Sequence, residues 1–447
     1  MNALLLALVL CGQGTFIVRD TLPNGLVVVA ARKEGLPLFR ALLAFRAGAL
    51  YDPAGKAGTA YILKDLFQQG PEGMTSTELA YAIEGLGGEI GSRVSYNDLR
   101  ISLGVLSPHA DSALSILARV VSKPALRPED FQKLKRRALS RLQQVYSDPN
   151  RVVSRHFRRA LYGEHPLGRP IEGDESSLEA LTLEDVRDFY ERFCYPNNAV
   201  LIIVSDIEQS KVIEMVRRHF GEWAPGKVKI PEIPSPRPVE GKYVEIIDMD
   251  VNQSYISLGH LGLRRSDPDY NGVRIMNYIL GGGAFASRFF KIVRNEKGLA
   301  YSAYSYFEAG SKFPGYFIAH LETSVDNTND AVGLVLNLIR DMKRKGVKKE
   351  ELDDARAYFK GSLPRMTETY DRLADAILFG ELQGLPDMYW EKDVEEIQKM
   401  DVDYVNEMAR KYLDPENFVL VIVSDTSKLR LEIPGISPEE VHYGEIR

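Results

Sequence analysis

An internal repeat constrains the fold of this chain more than any other feature. Residues 181–206 align without a gap onto residues 400–425, and nine of the 26 aligned positions are identical. Both segments have the pattern of a helix, a turn at a proline and a buried apolar strand. A segment repeated in each half of a chain indicates duplication of a larger unit. The sequence therefore predicts two halves built on one plan.

A proline-rich segment marks the predicted boundary between these halves. Residues 225–238 contain five prolines, a composition that gives a stiff, extended linker. The predicted organisation, in chain order, is a possible short signal segment at 1–14, an N-terminal half at 15–224, the linker at 225–238, a C-terminal half at 239–430 and a tail at 431–447.

Strand-like runs come before the long helical runs in both halves. In the first half the strand patterns Gly25–Ala31 and Phe39–Ala47 precede helical patterns across 109–158. In the second half Tyr243–Met249 and Gln253–Leu261 precede helical patterns that continue to residue 361. This order favours an α+β fold, in which each half is a mostly antiparallel sheet with helices packed mainly on one face.

Composition and charge exclude several classes of protein. Hydrophobic residues make up 45% of the chain and charged residues 26%, which is ordinary for a soluble globular protein. A net charge of −6 argues against general nucleic-acid binding. One basic helical face stands out, and we interpret it as solvated or chamber-lining rather than as a polyanion site: Lys133, Arg136, Arg137 and Arg141.

The N-terminal segment, MNALLLALVLCGQG, is apolar but too short to span a bilayer. It resembles an abbreviated secretion signal without the usual basic region. We expect an exported or periplasmic protein, with a cytoplasmic one as the alternative, and no stable membrane insertion. Cys11 and Cys194 are the only cysteines, so the sequence predicts no disulfide framework.

Residues 58–70, GTAYILKDLFQQG, predict an amphipathic helix. Its apolar positions share one face: Ala60, Leu63, Leu66 and Phe67. Its polar positions share the opposite face: Tyr61, Lys64 and Asp65. The frame Gly-x-Ala-x-x-Leu-x-x-Leu-Phe-x-x-Gly resembles the active-site helix of the pitrilysin/insulinase family of zinc peptidases. The resemblance covers nearly the whole chain, and it implies two halves that close like a clam shell around a chamber.

The resemblance also implies that the zinc chemistry of that family is missing here. In the family the three polar positions carry the inverted H-x-x-E-H motif, with two histidine ligands and a glutamate base. Tyr61 and Asp65 replace the histidines, and Lys64, which cannot accept a proton while charged, replaces the base. The third ligand, a glutamate, aligns within a residue with Arg141. We expect no metal in this chain. By position, Lys64 and Arg141 are the candidate cations to pair with Asp65 in its place, and we hypothesise an Asp65–Arg141 ion pair.

A second candidate site lies in Ser287–Phe307, SRFFKIVRNEKGLAYSAYSYF. The pattern predicts a helix, a glycine cap at Gly298 and then a strand, with Arg294 and Tyr301 close to the turn. From the residues alone, a helix-capping arginine and a packed tyrosine remain an alternative. The arrangement resembles the Arg…Tyr pair of the family's second half, which contacts the peptide backbone and helps to stabilise the oxyanion.

A first half without the zinc motif and a second half with the Arg/Tyr pair are similar to the non-catalytic subunit of two-chain processing-peptidase-like enzymes. The resemblance implies a heterodimer with a homologous H-x-x-E-H chain, which would carry the zinc, and a peptide substrate. This chain alone would be inactive and free of cofactors. Two alternatives remain. One is a binding or structural protein with the peptidase fold. The other is an active peptidase with atypical ligands, which Lys64 and Arg141 disfavour.

Overall fold

The computed structural model describes residues 9–10 and 16–446. The predicted signal segment at 1–14 lies outside the described residues except for residues 9–10. Thirteen strands are described: β1 Val9–Leu10, β2 Phe16–Thr21, β3 Val27–Arg32, β4 Leu38–Phe45, β5 Glu89–Val94, β6 Leu99–Leu106, β7 Ala199–Ser205, β8 Lys242–Asp248, β9 Gln253–Leu261, β10 Ala300–Glu308, β11 Tyr316–Ser324, β12 Phe418–Ser424 and β13 Val441–Gly444.

The α-helices within the described residues alternate with these strands in short groups. They are α1 Thr59–Phe67, α2 Ser76–Glu84, α3 Ala110–Ser122, α4 Pro128–Tyr146, α5 Pro149–Tyr162, α6 Glu175–Ala180, α7 Leu183–Phe193, α8 Gln209–Phe220, α9 Tyr270–Asn277, α10 Thr328–Lys345, α11 Lys349–Ser362, α12 Tyr370–Gln383, α13 Tyr389–Lys399 and α14 Val402–Tyr412. No helix of the described part of the chain is long and apolar enough to cross a membrane.

The strands form two sheets, as the α+β prediction requires. The first has the order β1-β2-β3-β7-β4-β6-β5, and only β3 and β7 pair in parallel. The second has the order β10-β11-β9-β12-β8-β13, and its parallel pairs are β12–β8 and β8–β13. The predicted tail thus contributes β13 to the edge of the second sheet.

The repeat found in the sequence is also a repeat of topology. Helix α7 leads into β7, and α14 leads into β12. Every residue of both strands is buried. Strand β7 lies between a parallel neighbour, β3, and an antiparallel neighbour, β4, while β12 lies in the same way between β8 and β9. The prediction of two homologous halves is confirmed.

The chain folds into two compact units that are not contiguous in sequence. Among the described residues, the first comprises those up to Leu142 with Pro170–Ile233 and Pro364–Tyr389, and the second comprises the others. These bounds differ from the predicted halves, because 143–169 folds with the second unit and 364–389 with the first. Helix α5 packs on β9 and β12, and α12 packs on β4 and β7.

Burial of apolar side chains explains why α5 belongs to the second unit. Its inner face is fully buried and shares one cluster with the side chains of β12: Val152, Val153, Phe157 and Leu161 with Val419, Val421 and Val423. Fully burying a side chain of this size stabilises the fold by roughly 1.5–3 kcal/mol. Helical periodicity identifies such a face but does not specify which sheet receives it.

Candidate functional site

Helix α1 begins where the sequence predicts, and a carboxylate fixes its first turn. Gly58 has φ +99°, a conformation that favours glycine. The side chain of Asp52 accepts hydrogen bonds from the backbone N–H groups of Gly58, at 2.8 Å, and of Ala60, at 2.9 Å. These bonds satisfy two backbone donors that a helix start leaves unpaired. The predicted apolar face is buried: Ala60, Leu63, Leu66 and Phe67.

The four residues that the family resemblance aligns with zinc-site positions lie on two helices: Tyr61, Lys64 and Asp65 on α1 and Arg141 on α4. Arg141 Nη1 donates to the Tyr61 hydroxyl at 2.7 Å, and this bond raises the pKa of the Arg141 guanidinium. Lys64 Nζ lies 2.5 Å from Asp65 Oδ1 and 4.1 Å from the centre of the Tyr61 ring. The four side chains thus form one connected group.

The hypothesised ion pair between Asp65 and Arg141 is wrong. Within the part of the chain that the structure describes, the ion pair of Asp65 is with Lys64, its neighbour in sequence. Arg141 instead meets Tyr61, which lies one helical turn before Asp65. Arg141 on α4 lies against the turn of α1 that contains Tyr61. Lys64 is therefore the cation that pairs with Asp65.

These side chains do not fit a zinc ion. Zinc needs lone pairs from imidazole, thiolate or carboxylate groups, whereas an ammonium and a guanidinium stand at two of the four positions. The remaining carboxylate, Asp65, is already paired with Lys64. No group of three histidine, cysteine, aspartate or glutamate side chains suited to a metal occurs among the described residues.

The second candidate site is built at the turn between a helical segment and strand β10. Arg294 lies near the end of a π-helical segment, Phe289–Glu296, where the sequence predicts an ordinary helix. Gly298 has φ +62°, and its N–H donates to the Arg294 carbonyl at 3.1 Å, as the predicted glycine cap requires. The chain therefore reverses at once and enters the strand at Ala300.

The reversal brings Arg294 and Tyr301 together. The guanidinium carbon of Arg294 lies 5.0 Å from the centre of the Tyr301 ring and 4.8 Å from that of Phe290. A guanidinium close to two aromatic rings is held by cation–π attraction while its N–H groups can still donate at its edge. Sequence reasoning missed Phe290, although its position four residues before Arg294 on a helical segment is a usable signal.

A bulge in β10 explains why Tyr301 points away from the sheet. The ladder with β11 pairs Ala300 with Thr323 and Ser302 with Glu322, so Tyr301 has no partner between them. An unpaired residue of this kind re-aims its side chain, and Tyr301 is 71% exposed. Arg294 forms no ion pair with any carboxylate of the described residues. Both side chains therefore keep polar groups available to a ligand.

Comparison with known proteins identifies the family. The model for insulinase (peptidase family M16) matches residues 27–175, and the model for the peptidase M16 inactive domain matches residues 180–359. The chain belongs to the M16 peptidase family. The family resemblance predicted from residues 58–70 is thereby confirmed, and this M16 chain is an inactive member by the chemistry of its four zinc positions.

Similar proteins span nearly the whole of this M16 chain. The non-peptidase homolog YmxG of Helicobacter pylori is 24% identical over 404 residues, which cover 90% of this chain and 92% of that protein. The uncharacterized zinc protease YmxG of Bacillus subtilis is 25% identical over 425 residues, covering 92% and 99%. The names of these two relatives thus include both a zinc protease and a non-peptidase homologue.

Solved structures agree with the fold of this M16 chain. A peptidase M16 inactive domain from Pseudomonas fluorescens superposes with a TM-score of 0.87 at 26% identity, covering 93% of this chain and 99% of that one. A protease from Helicobacter pylori has a TM-score of 0.86 at 18% identity, covering 91% and 99%. The second comparison supports the fold alone.

Proposed function

We propose that this M16 chain is the non-catalytic subunit of a heteromeric zinc metallopeptidase. It pairs with a homologous chain that carries an intact H-x-x-E-H motif and contributes Arg294 and Tyr301 to the peptide site. The observation that carries the proposal is the cation–π contact between the half-buried Arg294 and the exposed Tyr301. It occurs in a chain that has Tyr61, Lys64, Asp65 and Arg141 at the positions aligned with the zinc site.

The two side chains supply complementary donors for peptide cleavage. The Arg294 guanidinium carries a fixed charge and several N–H donors, and the Tyr301 hydroxyl donates a single proton in a neutral hydrogen bond. Preorganised donors of these kinds stabilise negative charge as it develops on a carbonyl oxygen. The zinc and the general base would come from the partner, so each chain alone would lack part of the machinery.

Packing around Arg294 supports a role that depends on position. Phe290 and Tyr301 both contact the Arg294 guanidinium, and two such contacts restrict its rotamers before any peptide binds. Because side-chain ordering costs free energy at binding, a pre-ordered donor loses less of its interaction energy. An arginine that only capped the helical segment would require neither the contact with the Tyr301 ring nor the bulge at Tyr301.

The decisive experiment is reconstitution. The chain is tagged, purified from its native host, and examined for a co-purifying M16 homologue that contains H-x-x-E-H. Peptidase activity against a library of unstructured peptides is then measured for each chain and for the mixture. We expect activity only in the mixture, or a mixture far more active than the zinc chain alone. A zinc chain that is equally active without this chain would contradict the proposal and favour a binding or structural role.

A further inference from the structure

Helix α4 carries an unusual concentration of positive charge. Between Phe131 and Ser147 the sequence contains five lysine and arginine residues and no aspartate or glutamate, in a chain whose net charge is −6. The buried side of the helix is apolar: Phe131, Leu134, Ala138, Leu142 and Val145. The charges are therefore confined to the remaining surface of the helix.

The five cations differ in how the fold uses them. Lys135, at the edge of the buried side, donates to the carbonyl oxygens of Glu179 and Leu181, each at 2.8 Å. Lys133, Arg136 and Arg137 are exposed, and none of these three has an ion pair with another described residue. We call Lys133, Arg137 and Arg141 the cationic row, because they follow one another at i, i+4 and i+8.

The cationic row is destabilising in the isolated chain. Like charges four residues apart on a helix repel each other and cost a few tenths of a kcal/mol per pair. No carboxylate of the described residues forms an ion pair with a member of the row, although the charge of Asp65 acts on Arg141, so the row gains from an external anion. The spacing of the row then indicates the form of that anion.

Helix geometry sets the distances along the row. A rise of 1.5 Å per residue separates neighbouring members by about 6 Å along the axis. An extended peptide advances about 3.3 Å per residue, so its alternate side chains lie about 6.6 Å apart on one face. Carboxylates at alternate positions of an extended segment therefore match the row within about 1 Å per step.

Arg141 is held by a hydrogen bond to α1. Its Nη1 donates to Tyr61, which restrains the guanidinium and leaves the edge formed by Nε and Nη2 outside that bond. Arginine binds carboxylates through two parallel N–H donors. Tyr61, at a degenerate zinc position, thus helps to orient a carboxylate-binding group.

We propose that the cationic row binds an extended acidic peptide segment with carboxylates at alternate positions. Between Lys133 and Gln144 the helix carries no aromatic residue, whereas stacking on aromatic rings is the main sequence-tolerant contact to single-stranded nucleic acids. Ser140 and Gln144 lie on the same side of the helix as the row and can bond peptide groups. The proposal goes beyond the proposed function and requires no catalytic partner.

The test compares two fluorescent peptides of equal charge, Gly-Glu-Thr-Glu-Thr-Glu-Gly and Gly-Thr-Thr-Glu-Glu-Glu-Gly, by anisotropy with the full chain at low salt. The row variant is Lys133→Gln/Arg137→Gln/Arg141→Gln. A charge-matched control changes three exposed lysines elsewhere in the same unit: Lys123→Gln, Lys211→Gln and Lys227→Gln. Circular dichroism and thermal melting check that each variant is folded. If the row variant does not fold, the single variant Arg137→Gln is used in its place.

We expect the unmodified chain to bind the alternating peptide more tightly than the other peptide. The row variant should bind the alternating peptide at least about tenfold more weakly, because charge-assisted bonds are lost. The control variant should change that affinity by no more than about twofold. For Arg137→Gln alone we expect a loss of about three- to tenfold. Equal affinity for the two peptides, equal losses in the row variant and the control, or tighter binding of an oligothymidylate of equal charge would each overturn the proposal. Failure here would leave the Arg294–Tyr301 proposal untouched, because that pair lies in the other unit.

Discussion

Arg141 on α4 donates a 2.7 Å hydrogen bond to the hydroxyl of Tyr61 on α1. The family resemblance assigns these two positions to zinc ligands, and the structure shows that they are neighbours although 80 residues separate them. The scaffold thus brings the right backbone positions together, while the side chains on it are a phenol and a guanidinium. We therefore expect side-chain chemistry, and not scaffold geometry, to prevent zinc binding, and the first prediction tests this expectation.

Zinc content distinguishes side-chain chemistry from scaffold geometry. We predict that the purified chain holds no stoichiometric zinc after mild chelation, measured by elemental analysis. The variant Tyr61→His/Lys64→Glu/Asp65→His/Arg141→Glu restores the ligand types that the family uses, and it should retain about one zinc per chain. Zinc in the unmodified chain would contradict our interpretation of the four positions. A folded variant that takes up no zinc would show that the scaffold is also altered.

The Arg294–Tyr301 pair should matter for turnover and not for folding. In the reconstituted two-chain complex, Arg294→Ala or Tyr301→Phe should lower kcat/KM by ~10²–10³, the usual cost of one lost oxyanion donor. Tyr443→Phe is a matched control, since Tyr443 is also exposed and also lies on an edge strand of the second sheet. Sizing chromatography checks assembly. Unchanged activity of the double variant in an intact complex would remove the catalytic role.

The start of α1 should depend on Asp52. Its carboxylate accepts two backbone N–H bonds and is buried. Asp52→Ala should therefore lower the free energy of unfolding by about 1–2 kcal/mol, as loss of a helix-capping side chain does. Asp52→Asn keeps one acceptor oxygen and should cost less. Urea unfolding followed by circular dichroism measures both changes, and equal stability of the alanine variant would rule out the capping role.

Acid stability should depend on Glu245 in β8. Burial opposes ionisation of this carboxyl, but the hydrogen bond and charge of His156 and the charge of Arg159 prevail and lower its pKa. A carboxyl whose folded-state pKa is lowered stabilises the fold above its unfolded-state value, about 4.3, and this contribution is lost as the pH falls through the folded-state value. Glu245→Gln should thus be less stable at neutral pH and lose less stability on acidification.

Chemical unfolding of the parent chain and of Glu245→Gln, at pH 7 and at several pH values below 4.5, measures how much stability each loses on acidification. Asp425→Asn provides the comparison, because the pKa of this carboxyl is also lowered, by Lys428 and Ser427, while its partner Lys428 is exposed. If Glu245→Gln and the parent chain lose stability in parallel on acidification, the Glu245 network does not govern the response.

Much of the candidate site could be predicted because its signals are local. The polar face of α1 follows from helical spacing alone, and the turn that brings Arg294 near Tyr301 follows from Gly298. The partner of Asp65 could not be predicted, because the choice between Lys64 and Arg141 depends on how α4 lies against α1. The bulge at Tyr301 likewise depends on the pairing of β10 with β11, which no local pattern specifies.

The exchange of helical segments between the units has a consequence for the history of the chain. The offset that aligns residue 181 with residue 400 also places α5 within two residues of α12, and these helices pack on equivalent strands, β12 with β9 and β7 with β4. Each half thus gives the same helix to the opposite unit. A half-length ancestor built this way would have been a symmetric, domain-swapped dimer. Fusion of two such subunits would have joined chains that already depended on each other. In the present chain each half completes its core with a helix from the other half.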